Sequence, residues 1–224
     1  MPTVLITGAS RGLGLEFARQ YAADGWRVIA TCRNPARADQ LRALSGEVAH
    51  HALDVSDIGA IQALGRKLAD DTIDVLIANA GIYIARSTTP HEIDVAGWLE
   101  SFKVNTIGAL ACAGAFLVPV QRSRERKMIA VSSVSGSVTS VRHGSFYAYR
   151  SSKAALNMSW RIFAFDHREV IAAAVSPGSV GTEMNPNGPG KPEDAVTSLR
   201  KVIARLTPQD SGSFFRVDGT PAPW

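Results

Sequence analysis

A phenol and an amine four residues apart form the clearest pair of proton-transfer groups in the sequence. Tyr149 and Lys153 stand in the run YRSSK, and on a helix residues four apart lie on the same face. A free tyrosine has a pKa of about 10 and is a poor base at neutral pH, but a neighbouring ammonium favours the phenolate. The pair is therefore predicted to act as one acid/base unit. Tyr147 is a competing phenol, but the residue four positions after it is Ser151.

A glycine-rich turn near the start of the chain could hold a pyrophosphate. The run TGASRGLG at residues 7–14 follows an apolar stretch and opens a helical pattern. Glycines let the backbone approach the phosphates, and the free N–H groups and partial positive charge of a helix start attract the anion. A turn that only caps the helix is the alternative. The residues expected to contact a dinucleotide here are Gly8, Ser10, Arg11, Gly12, Leu13 and Gly14.

The end of the second predicted strand indicates which dinucleotide is preferred. Sites that prefer NAD place an acid there to bind the ribose hydroxyls, whereas a basic group accommodates the extra phosphate of NADP. Here the strand runs into Arg33, and the first acid is Asp39. Arg33, together with Arg11 in the turn, could clamp the 2′-phosphate. We therefore expect NADP(H) rather than NAD(H), with solvated surface charges as the alternative reading of both arginines.

The elements that must position these groups alternate between short β-branched runs and helix-length segments. This alternation predicts βαβ units and a doubly wound parallel β-sheet, the Rossmann fold, with helices on both faces. We expect one α/β domain over residues 1–224, with a turn-rich lid near residues 183–192 after the sixth strand. The predicted strands are Thr3–Thr7, Arg27–Thr31, Val48–Leu53, Ile73–Ala78, Lys127–Ser132, Val170–Val175 and Ser213–Val217. The predicted helices are 13–24, 35–44, 57–70, 97–121, 147–166 and 192–205.

These motifs, in this chain order, resemble the short-chain dehydrogenase/reductase family, whose turn reads T-G-x-x-x-G-x-G and whose catalytic pair reads Y-x-x-x-K. The resemblance implies that Ser133 holds a substrate carbonyl and that Tyr149 exchanges the proton with it. It implies that Lys153 binds the nicotinamide ribose and lowers the pKa of the tyrosine. It further implies that Asn105 acts on Lys153 through a water relay.

One departure from the family leaves the catalytic serine open. Ser133 and Tyr149 are further apart than is usual in the family, and residues 141–145 look like a small insertion. Ser132 and Ser135 therefore remain alternatives to Ser133.

The same resemblance implies further cofactor contacts. A segment after the fourth strand looks like the family's N-A-G turn beside the adenine ribose, and a pair after the third strand looks like its adenine contact. A third segment resembles the P-G-x-V-x-T stretch that lines the nicotinamide. Tyr149 and Lys153 also contact the cofactor in this reading. The remaining implied contacts are Asn79, Ala80, Gly81, Asp54, Val55, Pro177, Gly178, Val180 and Thr182.

Three functions are compatible with these observations. The leading prediction is an NADPH-dependent oxidoreductase that transfers a hydride between nicotinamide and a small carbonyl or alcohol. Residues 147–158 and 211–219 most resemble the C-factor subgroup of the family, which includes proteins implicated in cell signalling as well as carbonyl reductases. The second reading is therefore a signalling or nucleotide-sensing protein that binds NADP(H) with little turnover. The third is a structural interaction protein with a vestigial nucleotide site.

Composition argues against several other classes. The net charge is +4, but the densest basic run, at residues 122–127, is broken by an acid and lacks aromatic residues, so nucleic-acid binding is not expected. The two cysteines, Cys32 and Cys112, can build neither a disulfide framework nor a zinc site, and no metal is expected. The residues before the first strand do not predict a secretory signal, and the uncharged stretch Val104–Val120 is expected to be too short and polar to span a bilayer. A cytoplasmic protein is predicted.

Small residues on the helix predicted at 97–121 indicate self-association. They offer a face where two backbones could approach closely, which predicts a homodimer or a homotetramer. Packing of these residues against the protein's own sheet is the alternative. The residues are Ala109, Ala111, Ala113, Gly114 and Ala115.

Overall fold

A parallel sheet organises the molecule in the computed structural model, which describes residues 1–84 and 89–224. Over those residues the sheet has seven strands in the order β3-β2-β1-β4-β5-β6-β7, and all neighbouring strands are parallel. The strand order reverses between β1 and β4, which is where a doubly wound sheet opens its ligand crevice. The strands are β1 Thr3–Thr7, β2 Arg27–Cys32, β3 Val48–Ala52, β4 Val75–Ala78, β5 Lys127–Val131, β6 Ile171–Ser176 and β7 Phe214–Arg216.

Helices cover both faces of this sheet. α1, α2 and α7 pack on one face, and α3, α5 and α6 pack on the other. Alternate residues of β1 show the division, because Leu5 faces the second group of helices while Val4 and Ile6 face the first. Burial on both faces explains why the strands read as continuous apolar runs. The helices are α1 Gly12–Ala23, α2 Asp39–Arg42, α3 Ile58–Lys67, α4 Val95–Phe102, α5 Ala109–Gln121, α6 Tyr147–Asp166 and α7 Pro192–Arg205.

The predicted fold class is confirmed, and the differences concern how single elements begin, end or break. The helix predicted at 35–44 is divided into a 3₁₀ turn, Pro35–Arg37, and the short α2, because Ala38 has non-helical dihedrals of −99° and 64°. The strand predicted from Ile73 begins at Val75. The N–H of Ile73 instead donates to the carbonyl of Pro119, outside the sheet.

The helix predicted at 97–121 consists of three parts. It begins as α4 at Val95, where the Asp94 carboxylate accepts a hydrogen bond from the N–H of Gly97. α4 continues through a π-helical turn, Lys103–Gly108, into α5. Single π turns inside α-helices are frequent at functional sites, and this one contains Asn105.

The small residues of α5 mostly serve the protein's own interior. Ala109 and Ala113 are buried in the core, and a Cβ atom built on Gly65 of α3 would lie 2.9 Å from the carbonyl oxygen of Ala115. The close approach of two backbones therefore occurs between α3 and α5, which corrects the role given to Ala109 and Ala113 in self-association. The stretch Val95–Gln121 is long and apolar enough to cross a membrane by length and composition alone, but half of it is buried in the fold.

Candidate active site

The glycine-rich turn between β1 and α1 is shaped by the absence of side chains. Gly8 and Gly12 have φ values of +69° and +55°, a region that favours glycine. A Cβ atom on Gly14 would overlap the carbonyl oxygen of Gly8 and the side-chain amide of Asn79. The turn is therefore a tight backbone cradle at the carboxyl edge of the sheet.

The start of α1 leaves its first N–H groups available to a ligand. The helix begins at Gly12, and its N-cap residue is Arg11. Within the described residues, the Arg11 side chain does not cap the helix, and the first turn contains no acid. Unpaired N–H groups and the positive end of the helix dipole attract an anion. The cradle thus fits a pyrophosphate in space and in charge, and the contacts expected from Ser10 and Leu13 remain predictions.

The N-A-G segment after β4 is tied to this turn by hydrogen bonds. The Thr7 hydroxyl accepts from the N–H groups of Asn79 and Ala80, each at 3.0 Å. The Asn79 side-chain amide donates to the carbonyls of Thr7, at 3.0 Å, and Gly8, at 3.2 Å. The two segments therefore form one unit across the point where the strand order reverses. Sequence reasoning gave Thr7 no role, although its place before the first glycine was a usable signal.

Of the two arginines predicted to clamp a 2′-phosphate, one has a partner. Arg11 Nη1 lies 2.7 Å from Glu183 Oε2, and both side chains are well exposed. Arg33 is exposed at the end of β2. The pKa of the nearby Asp54 carboxyl is lowered, first by a hydrogen bond from the Ser56 backbone and in smaller part by the charge of Arg33. Arg33 thus lies close to Asp54, which is predicted to contact adenine, whereas Arg11 bridges to the segment after β6.

The predicted catalytic phenol lies at the start of α6 and contacts a serine at the end of β5. Tyr149 is half-buried, and its phenol is hydrogen-bonded to the Ser133 side chain. Burial raises the pKa of Tyr149 above its ordinary value, and the hydrogen bond with Ser133 offsets part of that rise. The phenol of Tyr83 raises the pKa further by a smaller amount. The site is therefore built to keep this phenol protonated, the form that can donate a proton.

Lys153 is buried one helical turn further along α6. Its Nζ donates to the carbonyl of Val131 at 2.9 Å and lies 6.0 Å from the centre of the Tyr149 ring. Burial lowers the pKa of Lys153 to about 8. In this structure burial dominates the pKa of both groups, and the expectation that Lys153 lowers the pKa of Tyr149 stays a prediction.

Asn105 faces the same site from the π-helical turn. Its side-chain amide donates to the carbonyl of Ile82 and the hydroxyl of Ser152, both at 3.0 Å, and its Oδ1 accepts from the Ile82 N–H at 2.8 Å. A Cβ atom on Gly81 would lie 3.3 Å from Asn105 Oδ1 and 3.7 Å from Lys153 Nζ. Asn105 and Lys153 are therefore neighbours across Gly81, and the predicted water relay between them is not tested.

The three candidate serines have different surroundings. Ser132 is buried, and its hydroxyl donates to Asn157 Oδ1 at 2.6 Å, away from the phenol. Ser135 contributes a backbone N–H that donates to the Ser133 hydroxyl at 3.1 Å. The side chain of Ser133, in contrast, is hydrogen-bonded to Tyr149. Its geometry therefore fits the role predicted for it, although the role itself is not tested.

The Ser132–Asn157 hydrogen bond belongs to a regular set of contacts between β5 and α6. The last residue of β5, Val131, contacts Lys153 through its carbonyl, and Ser132 contacts Asn157 one turn further along the helix. Ser133 contacts Tyr149 one turn before Lys153. Sequence reasoning missed Asn157, although its position four residues after Lys153 places it on the same helix face.

The segment after β6 closes the site opposite the glycine turn. Gly178 has a φ of +79°, Val180 is buried, and the Thr182 methyl group lies 3.6 Å from the position of a Cβ atom on Gly12. The predicted lid folds back on this segment, because the N–H of Gly181 donates to the carbonyl of Gly190 at 2.8 Å. Pro177 leads into the segment directly after β6, and Val55 is buried beside Gly108.

No group of three or more metal-ligating side chains occurs in residues 1–84 and 89–224. The chemistry available to the site therefore comes from a phenol, a buried amine, a hydroxyl and a backbone cradle for phosphates.

Comparison with known proteins gives concordant matches. Residues 2–191 match the family model described as short chain dehydrogenase. C-signal of Myxococcus xanthus is 34% identical over 73% of this chain and all of its own length. Among solved structures, the carbonyl reductase Sniffer of D. melanogaster is similar with a TM-score of 0.92 and 27% identity, covering all of both chains. An NADPH-bound carbonyl reductase from chicken fatty liver is similar with a TM-score of 0.89 and 32% identity, covering 100% of this chain and 99% of its own.

Proposed function

The chain belongs to the short-chain dehydrogenase/reductase family, an oxidoreductase family, and from that premise we propose that it is an NADPH-dependent reductase of small carbonyl compounds that also runs in the alcohol-oxidising direction. One observation carries the proposal: a half-buried Tyr149 phenol, hydrogen-bonded to Ser133, lies at the carboxyl edge of the sheet next to the buried amine of Lys153. A binding protein has no need of a proton donor assembled in this way.

The residues divide the reaction between them. When bound, the nicotinamide supplies or accepts the hydride. Ser133 orients the carbonyl oxygen of the substrate, and Tyr149 donates a proton to that oxygen during reduction or removes it during oxidation. Lys153 binds the ribose, and Asn105 holds the backbone of Ile82 beside it. The N–H groups at the start of α1 bind the pyrophosphate.

NADP(H) is the proposed cofactor. In support, β2 runs into the exposed Arg33 rather than into an acid, and the chicken carbonyl reductase is described as NADPH-bound. Arg11 contributes after exchanging Glu183 for the 2′-phosphate. Val180 and Thr182 contact the carboxamide of the nicotinamide, and the segment near 183–192 acts as a lid.

The test is a panel of aldehydes and ketones assayed with NADPH and with NADH by nicotinamide absorbance. We expect turnover with NADPH at rates well above those with NADH. Tight NADPH binding without turnover of any carbonyl compound would instead support a nucleotide-sensing protein, the second candidate, which the C-signal relative favours. Absence of nucleotide binding would contradict both.

Self-association is proposed through a different surface from the one expected from sequence. Exposed apolar side chains recur on α4, on the π-helical turn that follows it and on α6, and a second copy of the chain could cover them. Sedimentation showing only a 23.9 kDa species at micromolar concentration would contradict a homodimer. A cytoplasmic location is retained as a proposal, since both cysteines are free and buried. The exposed side chains are Val95, Leu99, Ile107, Met158, Ile162 and Phe165.

A further inference from the structure

Aromatic rings stand beside the phenol that carries out proton transfer. The ring of Tyr83 meets the ring of Tyr149 edge-on, with centroids 5.0 Å apart and an interplanar angle of 64°. It meets the ring of Phe146 in the same manner at 5.5 Å and 67°. Tyr83 and Phe146 are each only partly buried. Both residues are therefore partly exposed beside Tyr149.

The backbone that carries Phe146 is strained. Ser145 and Phe146 have φ values of +91° and +61°, and Phe146 is the residue directly before α6. Non-glycine residues rarely adopt positive φ, and such strain persists only where the surroundings enforce it. The strained turn brings the Phe146 ring against Tyr83. Phe146 itself lies three residues before the catalytic phenol, Tyr149. This turn lies at the end of the segment 141–145, which lengthens the chain between Ser133 and Tyr149.

The other ring is held by the catalytic machinery itself. The residue before Tyr83, Ile82, is clamped at both its N–H and its carbonyl by the side chain of Asn105. Asn105 is in turn fixed by the hydroxyl of Ser152 on α6. Tyr83 and Tyr149 are thus anchored to one hydrogen-bonded unit, so the distance between their rings is set by the same contacts that order the site.

We propose that Tyr83 and Phe146 form a substrate-recognition wall and that the preferred substrates carry a planar aromatic ring close to the reacting carbonyl. A substrate with an aromatic ring can form edge-to-face or offset contacts with these rings, and it gains stabilisation that a saturated ring of similar size does not gain. A substrate ring placed against this wall would present its carbonyl to Tyr149 and Ser133. The proposal rests on the proposed function, since it names the substrate class for that reaction.

The experiment compares phenylacetaldehyde with cyclohexylacetaldehyde. The carbonyl is unconjugated in both aldehydes, so they differ only in the ring. For the wild type we expect kcat/KM with NADPH to favour the aromatic aldehyde by about tenfold, since each ring contact is worth about a two- to tenfold preference. In Phe146→Leu the ratio should fall to about two, mainly through loss of activity on phenylacetaldehyde. Phe146→Tyr, which keeps the ring, should retain the ratio.

Two control variants separate the ring from its surroundings. Val138 is exposed in the same loop, and Val138→Ala should leave the ratio unchanged. Ser145→Gly removes strain without touching the ring, so it should raise the thermal unfolding midpoint and keep the ratio. NADPH affinity and the unfolding midpoint of Phe146→Leu identify a variant that is damaged as a whole, in which case the wild-type ratio decides the proposal.

The possible failures are distinguishable. A wild-type ratio near one, or an unchanged ratio in Phe146→Leu, would overturn the aromatic wall. So would turnover of other carbonyl compounds with no activity on either aldehyde. Absence of turnover with every carbonyl compound would instead overturn the proposed function.

Discussion

The predicted phosphate-binding turn and the predicted catalytic pair lie at the same carboxyl edge of the sheet, and they are built by opposite means. At the first, Gly8 and Gly14 leave space for the backbone, and a single added Cβ atom would overlap its surroundings. At the second, Tyr149 and Lys153 are polar groups whose pKa values are displaced by burial. We therefore expect binding at the first to depend on shape and backbone, and chemistry at the second to depend on single side-chain atoms. Substitutions should therefore separate affinity from turnover.

The largest separation is expected for Tyr149→Phe. The variant keeps the ring and its packing but loses the oxygen that exchanges the proton. Because general acid/base groups contribute about 10²–10⁴-fold, kcat should fall by at least about two orders of magnitude while NADPH affinity stays near the wild-type value. Steady-state kinetics and nucleotide titration check the two quantities.

Tyr147→Phe is the matched control for this prediction. Tyr147 is an exposed phenol two residues away, and its ring lies against Trp98. We expect this variant to keep most of its activity. Near-normal turnover in Tyr149→Phe, or loss of turnover in a folded Tyr147→Phe, would reassign the catalytic phenol.

The next effect concerns the predicted 2′-phosphate site, where Arg33→Ala and Arg11→Ala should distinguish the two cofactors. A charge-assisted hydrogen bond is worth about 1.5–3 kcal/mol, so loss of one should weaken NADPH binding about ten- to a hundredfold. NADH lacks the phosphate and should bind almost as before. Equal losses for both nucleotides, measured by fluorescence titration, would mean that the arginines serve the fold or the pyrophosphate.

A pH-dependent effect on stability follows from the burial of Lys153. Below about pH 8 the amine is protonated in the folded and unfolded chains alike. Between pH 8 and 10 the folded chain releases this proton while the unfolded chain, with the ordinary pKa of 10.5, retains it, so stability rises with pH. Relative to Lys153→Met, the wild type should gain about 2 kcal/mol in free energy of unfolding from pH 7 to pH 10.

Denaturant titrations of the cofactor-free protein at both pH values measure this gain. Comparison with Lys153→Met removes the contributions of other groups, including Tyr149, whose raised pKa lowers stability as the pH rises through the ordinary tyrosine pKa of 10.0. An identical pH dependence in the two proteins would show that burial does not lower the pKa of the Lys153 amine.

The smallest effect is expected for Glu183→Gln, which releases Arg11. Exposed ion pairs contribute only about 0.2–1 kcal/mol, so NADPH affinity should rise by less than about fivefold. NADH affinity should not change. A much larger gain would mean that the Arg11–Glu183 pair closes the phosphate-binding turn before the cofactor arrives.

Much of the fold could be predicted because its signals are local. The run after β1 and the β-branched strands determine the parallel sheet, and β1 begins and ends where the sequence predicts. The order of the family motifs also predicted that Ser133 and Tyr149 lie in one site. These features depend on patterns that lie within a few residues of one another.

Features that depend on tertiary contacts could not be predicted. Spacing alone could not distinguish Ser133 from Ser132. The difference between them comes from the hydrogen bond of Ser132 to Asn157, which turns the Ser132 hydroxyl away from Tyr149. Nor could it predict that Arg11 pairs with Glu183, 172 residues away. The burial that lowers the pKa of Lys153 likewise arises from elements distant in the chain.

The parallel sheet sets the time the chain needs to fold. Parallel neighbours cannot be joined by a hairpin, so each pairing waits for a crossover to close. β1, inside the sheet, pairs with β4 through contacts such as Val4 with Val75, and proteins dominated by such non-local pairings fold slowly. Until β4 arrives, one side of β1 is an unpaired apolar edge open to other chains. Expression at low temperature or with chaperones should therefore raise the soluble yield of this protein more than it raises its stability.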